Sequence, residues 1–228
     1  DSKIKEKYEI MADRSMRTDG YRIFSTINKE LYDKMNEVAD SFQYYGYTYT
    51  SETVDEESGK TITKENPVQV GAMMIENHTG QILSFVGGRD YELEAMNHST
   101  RAFRQNGSSM KPLLVYAPAI EYGVIGAGSP LVDVKFRRGN YAPGNYFDRE
   151  LGVLPARESL ARSQNLSTIR LYDQIIDRNP IDFLKKMKFK NATDQAGSGL
   201  SAALGTMDVT GEENTNAFAT FANGGQFI

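Results

Sequence analysis

Gly107-Ser108-Ser109-Met110-Lys111-Pro112 sets a serine three residues ahead of a lysine at the start of a helical pattern. A helix turns once in about 3.6 residues, so Ser108 and Lys111 share a face and the amine lies within reach of the hydroxyl. The free N–H groups of an opening turn, with the positive end of the helix dipole, face Ser108 and suit an oxyanion. Pro112 fits this register, because a proline in a first turn removes an N–H that has no helical partner. Met110, Leu113, Leu114, Val115 and Ala117 can bury one face of the helix. Burial matters because a lysine at its usual pKa of about 10.4 is neutral in roughly one molecule in a thousand at pH 7. A basic lysine needs a pKa of about 7 to 8, supplied by desolvation and by its neighbours. The pattern points to a serine nucleophile and covalent acyl transfer; the alternative is an ordinary capped helix with an exposed lysine.

Spacing alone is not specific, since Ser2 and Lys5 repeat it within a charged run, residues 1–7, that reads as a solvated end. The second signal is Ser163-Gln164-Asn165, the one Ser-x-Asn in the chain, at the joint between helical patterns over 155–162 and 166–176. Its bland reading is that polar residues end one helix and cap another. Other nucleophiles and metal sites find little support, with no cysteine and two histidines. His78 sits in the turn Asn77-His78-Thr79-Gly80 and His98 in a polar stretch, so a lysine is favoured over imidazole as base. Gly87-Gly88 lacks the spacing of a phosphate loop. A net charge of −4 and a pI near 5.4 argue against a nucleic-acid partner. No apolar run reaches the roughly 18 residues of a membrane span.

With 228 residues, 39% of them hydrophobic, the chain suffices for one large domain. Residues 21–26 alternate like a strand, and Asn28 can cap a helix through Leu31, Met35, Val38 and Ala39. Residues 42–65, with Tyr44, Tyr45, Tyr47, Tyr49 and an acidic stretch over 51–60, read as a loop or exposed β element. That tyrosine run is expected to pack against the domain rather than stack on glycan. Apolar runs over 68–75 and 81–86 around Thr79-Gly80 predict a mostly buried hairpin. Helical signals follow over 108–122, 155–162 with Pro155 at the first helical position, 166–176 and 180–187. The expected class is α/β (α+β), an antiparallel β-sheet flanked by helices.

Ser-x-x-Lys followed by Ser-x-Asn is a paired signature of penicillin-binding proteins and serine β-lactamases. The surrounding segments carry a resemblance to class A penicillin-binding proteins: QVGAMMIENHTGQILSFVGGRDY (69–91), MNHSTRAFRQNGSSMKP (96–112), NYAPGNYFDRELGVLPARESLARSQN (140–165) and NTNAFATFANGGQFI (214–228). The resemblance implies the transpeptidase fold, with residues 1–20 as a linker remnant and 21–228 as the N-terminal part of the catalytic domain. One departure is plain: no Lys-Thr-Gly or Lys-Ser-Gly occurs in the chain. The fold is therefore expected to be incomplete at the C-terminus, the third-motif strand lying on a second polypeptide fragment or in residues absent from this chain. The resemblance further implies a bifunctional glycosyltransferase/transpeptidase on the outer face of the cytoplasmic membrane, anchored by an N-terminal helix not present here.

By resemblance Ser108 is the nucleophile and Lys111 its base, Ser163 relays the proton to the departing nitrogen, and Asn165 binds the substrate's peptide carbonyl and positions Lys111. The donor would be the D-Ala-D-Ala end of a peptidoglycan stem peptide and the acceptor an amine of a neighbouring stem. β-Lactam antibiotics would acylate the same serine, and no metal or organic cofactor is required. A serine β-lactamase, a D,D-carboxypeptidase and a non-catalytic β-lactam-sensing module remain as alternatives.

Overall fold

The computed structural model describes residues 2–54 and 59–228. It opens with α1 (Ser2–Thr18), a helix where the sequence reads as a solvated end; Tyr8, Ile10 and Met11 on it are all more than half exposed. Residues 21–26 do not form the expected strand. Their end instead lies along the edge of β4 (Ile82–Val86), where Thr26 Oγ1 donates to Ile82 O at 2.7 Å and Asn28 N to Leu83 O at 2.8 Å. Two contacts of different chemistry do not make a ladder, so the alternation in the sequence goes unused. Asn28 does cap α2 (Lys29–Ser41), accepting from Leu31 N at 3.1 Å. Asn36 Nδ2 from α2 donates to Phe85 O, and Tyr32 meets Phe85 edge-on at 5.4 Å, which covers the outer side of β4.

β1 (Tyr49–Val54) and β2 (Thr61–Asn66) pair antiparallel from Tyr49↔Asn66 to Val54↔Thr61, and β1 is exposed throughout. This is the expected exposed β element; of its acidic stretch, residues 55–58 lie outside the described residues. Within the tyrosine run only Tyr45 packs as expected, its hydroxyl on Ala39 O at 2.7 Å and its ring under Arg89, while Tyr44, Tyr47 and Tyr49 face solvent. β3 (Ala72–Ile75) and β4 form the predicted hairpin, Ala72 facing Val86, but it is half-buried rather than mostly buried, with only Ser84 and Val86 of its strands enclosed. The Glu76 carboxylate closes its turn on the N–H groups of His78 and Thr79.

The antiparallel sheet predicted from the sequence is present as two-stranded pieces. β5 (Arg104–Gln105) pairs with β8 (Asp208–Val209), and β6 (Pro130–Asp133) with β7 (Gly152–Pro155). The helical signal over 108–122 resolves into a tight 3-10 turn at Gly107–Ser109, a wide π-type helix at Lys111–Tyr116 and α3 (Ala117–Glu121). Pro112 has no N–H to give, and its carbonyl accepts from Ala117 N, five residues on. α4 (Ala156–Ala161) begins one residue later than expected: Pro155 closes β7 in extended backbone, and Ala156 N bonds Ser129 O at 2.8 Å.

The remaining helices are α5 (Asn165–Ile175), α6 (Ile181–Lys186), α7 (Asp194–Gly197) and α8 (Gly211–Ala222). Thr210 and Glu213 start α8 with reciprocal side-chain to backbone bonds. The core packs the π-type helix against α5 and α6: Leu113, Leu114, Val115, Ile169, Leu171, Tyr172, Ile175 and Leu184 are almost wholly buried. Both motifs are therefore anchored to one apolar core, Lys111 from one side and residues 163–165 from the other.

Candidate active site

Gly107 holds a positive φ of 56° immediately before Ser108 and presents the serine on the short 3-10 turn, exposed. Gly205, at φ 76°, lies against that turn: a Cβ there would sit 2.0 Å from Gly107 O, and Gly107 N donates to Gly205 O at 3.2 Å. Only glycine satisfies both the left-handed backbone and this approach.

Lys111 is wholly buried and makes four contacts with a single short segment. Its Nζ lies 2.6 Å from Ser163 O, 3.0 Å from Ser163 Oγ, 3.3 Å from Gln164 O and 2.7 Å from Asn165 Oδ1. Ser163 achieves this with a left-handed φ of 54°, a conformation a serine adopts at a cost and that the α4–α5 joint enforces through Ser163 N to Leu160 O and Gln164 N to Ser159 O. A buried network braces the same joint: Tyr116 OH bonds Ser159 Oγ at 2.9 Å and Thr168 Oγ1 at 3.2 Å, and Thr168 Oγ1 donates to Gln164 O.

Burial pushes the Lys111 amine down to about 8, against the opposing pull of the Asp133 carboxylate. At that value roughly one molecule in ten is neutral at pH 7, against about one in a thousand for an ordinary lysine. The chemistry of the neighbours gives a neutral amine a direction. Two carbonyls and the Asn165 amide oxygen can only accept; Ser163 Oγ is the one of the four that can also donate to a lone pair.

Ser108, Ser163 and Asn165 line one cavity of about 560 Å³, with Asn145, Tyr146 and Arg162 on its wall. The structure thus joins Lys111, Ser163 and Asn165 by direct contacts and brings Ser108 to the same cavity one helical turn from Lys111. Among the described residues no hydrogen bond links Ser108 to Lys111, and the amine's bonds go to residues 163–165. Neither His78 nor His98 lines this cavity; His98 Nε2 faces Glu94 at 3.4 Å. Among the described residues no group of histidines and carboxylates could hold a metal ion.

Sequence reasoning missed Asp133 and Asn145. Asp133 is wholly buried and its carboxylate accepts from Asn145 Nδ2 at 3.0 and 3.2 Å, Leu151 N at 2.9 Å and Ser167 N at 3.3 Å. Asn145 Oδ1 accepts from Asn165 N at 2.8 Å and Leu166 N at 3.2 Å, and Asn165 Nδ2 donates to Gly144 O at 2.9 Å. The available signal was a single acid closing the apolar strand Pro-Leu-Val-Asp, a type of residue that rarely goes inside without donors.

Residues 70–228 match the family described as penicillin binding protein transpeptidase domain. The chain belongs to that family. It is 35% identical over 162 residues to penicillin-binding protein 4 of Bacillus subtilis, covering 70% of this chain and 26% of that protein. It is 33% identical over 162 residues to penicillin-binding protein 1A of Pseudomonas aeruginosa, covering 69% of this chain and 19% of the relative. Among solved structures, penicillin-binding protein 1A from Haemophilus influenzae superposes with a TM-score of 0.64 at 25% identity, over 95% of this chain and 40% of that one. PonA1 from Mycobacterium tuberculosis in complex with penicillin V shares the fold, with a TM-score of 0.70 at 19% identity over 96% of this chain and 56% of that one. The chain spans about a quarter or less of the length of these curated relatives, 26% and 19%. Among the described residues no helix is long and apolar enough to cross a membrane.

Proposed function

We propose that this transpeptidase-family chain carries out D,D-transpeptidation through an acyl-enzyme on Ser108. The observation that supports it most directly is the buried, partly neutral Lys111 held on Ser163 and Asn165 at the cavity that Ser108 lines. In this reading Ser108 Oγ attacks the carbonyl of a terminal D-Ala-D-Ala bond as its proton passes to the Lys111 amine. The tetrahedral oxyanion collapses, the C–N bond breaks, and the departing D-alanine nitrogen takes its proton through Ser163 Oγ, which the short contact to Lys111 makes a relay. An amine of a neighbouring stem peptide then attacks the ester, forms the new amide and returns the proton to Ser108. Asn165 contributes by holding Lys111 and, by family resemblance, by donating to the substrate. The reading extends to a catalytic domain on the outer face of the cytoplasmic membrane, within a bifunctional synthase.

β-Lactams present a strained amide to the same serine and leave an ester that hydrolyses slowly. Incubation of the protein, as its host makes it, with a labelled penicillin should give one adduct by mass spectrometry on the peptide carrying Ser108. Ser108→Ala should abolish it. An adduct on another residue, or none, overturns the assignment, and rapid turnover of the drug would instead make the chain a β-lactamase. With stem peptide, products formed in the presence of an amine acceptor separate cross-linking from carboxypeptidase hydrolysis.

A further inference from the structure

We infer that Asn145, held by the buried carboxylate of Asp133, is a positioning residue for acyl transfer: it fixes the first turn of α5 so that Ser163, Gln164 and Asn165 turn their oxygens onto Lys111. This rests on the reading of Ser108 and Lys111 given above, and it names what keeps that site in register.

A helix leaves its first N–H groups without partners, and a capping side chain from the preceding residue usually satisfies one of them. Gln164 stands at the cap of α5 and makes no such bond. The first three N–H groups of α5 are satisfied from elsewhere in the chain: Asn165 N and Leu166 N by Asn145 Oδ1, and Ser167 N by Asp133 Oδ1. The donors of Asn145 go the other way, Nδ2 to both carboxylate oxygens of Asp133 and to Arg149 O at 2.8 Å. Every partner on one side of the amide accepts and every partner on the other donates, so only one orientation of the group satisfies them. Gly144 O, next door, takes the Asn165 Nδ2 donor, which leaves Asn165 Oδ1 free for Lys111.

Two adjacent residues therefore grip Asn165 at its backbone N–H and at its side-chain amide, and Asp133 closes the clamp from the end of β6. The carboxylate lies at the positive end of α5 and is wholly buried, and its hydrogen bonds come from the Asn145 amide and the Leu151 and Ser167 N–H groups. Its charge also acts on Lys111, opposing the loss of the proton that burial favours. An error of about 1 Å in placing a catalytic group costs on the order of a hundredfold in rate, which sets the scale of what the clamp protects.

The test measures two things on the protein as its host makes it. Backbone hydrogen exchange at Asn165 and Leu166 reads the clamp without reference to catalysis, and penicillin acylation of Ser108 reads its consequence. In Asn145→Ala the two amides should exchange about tenfold or more faster, while Ile169 and Leu171 deeper in α5 keep their protection; the acylation rate constant should fall by about a hundredfold. Asn145→Asp sets two carboxylates together, which share a proton at low pH and repel once both ionise. Its acylation rate relative to the unsubstituted protein should therefore stand near unity at about pH 5.5 and fall about tenfold or more by pH 8. A merely structural role would show instead as a parallel fall in the folded fraction, which circular dichroism at each pH reads beside the rate. Of the groups that face the pair, Tyr116 from the π-type helix and Arg149 and Arg162 around the cavity are common to both proteins, while Lys111 feels the added carboxylate as it feels Asp133 and keeps its proton to higher pH. Exchange at Asn165 and Leu166 followed over the same pH range separates loss of the clamp from that effect. Unchanged exchange at both amides overturns the clamp, and a flat ratio in Asn145→Asp or undiminished acylation in Asn145→Ala overturns its positioning role. Faster exchange in Asn145→Ala with no Ser108 adduct in the unsubstituted protein would overturn the acyl-transfer reading and its positioning role, while leaving the clamp as a structural fact.

Discussion

The two ends of the described chain solve burial differently. Residues 110 to 217 supply the main apolar core, chiefly from the π-type helix and the helices packed on it, with Met110, Val115, Ile169, Tyr172 and Leu184 fully enclosed. Between residues 21 and 105 the buried apolar side chains are Ala39, Val86 and Ala102, while Phe24, Tyr44 and Tyr47 stand 88%, 85% and 85% exposed. An apolar cavity of about 460 Å³ between α2 and the β3–β4 hairpin, lined by Met35, Val38, Phe42 and Val86, belongs to the same open surface. The contrast explains where the costly features sit. A buried lysine and a serine in left-handed backbone persist only where surrounding packing over-determines them, and both lie against the helical core.

The largest expected effect breaks or confirms that core. Ile169 is wholly buried on α5. Ile169→Ala should lower the unfolding free energy by about 2–5 kcal/mol, through lost transfer energy and a residual cavity. Denaturant titration measures it, and a loss below about 1 kcal/mol would mean that the helical region is far looser than its burial implies. A smaller effect concerns the chemistry mounted on that core. Lys111→Ala should slow penicillin acylation by about a hundredfold, some 2.7 kcal/mol in barrier. In the unsubstituted protein the rate should rise with pH and level off as Lys111 loses its proton near pH 8, because the neutral amine is the base. A rate independent of pH between 6 and 9, with Lys111→Ala fully active, would remove the lysine from that role.

Much of the site was legible because its chemistry is local. Ser108 and Lys111 are three apart, residues 163–165 are contiguous, and the apolar run after Met110 announced a buried helix. What was not legible is of two kinds. Residues 21–26 alternate in a strand-like way, but whether alternation becomes a strand depends on a free partner edge, and β4 takes only Thr26 and Asn28 there. The clamp of Asp133 and Asn145 joins residues 12 apart to a helix start 20 residues further on. No periodicity encodes such a contact, since an asparagine in a loop reads as turn chemistry until the fold shows which donors it faces. The shared helical face of Ser108 and Lys111 could be read from their spacing, whereas the oxygens that hold the amine come from a segment 52 to 54 residues further on.

The smallest expected effect tests the open surface. Phe24 lies 88% exposed on a segment without strand pairing, so truncating its ring removes little burial. Phe24→Ala should change the unfolding free energy by less than about 0.5 kcal/mol, the range of surface substitutions that touch no special feature. The same titration used for Ile169→Ala measures it, which makes the pair a direct comparison of the two regions. A loss above about 1 kcal/mol would show that Phe24 is covered in solution, by another part of the protein or by a second copy. The exposed apolar face would then be an interface, and the asymmetry between the regions would come from what covers each of them rather than from how each packs by itself.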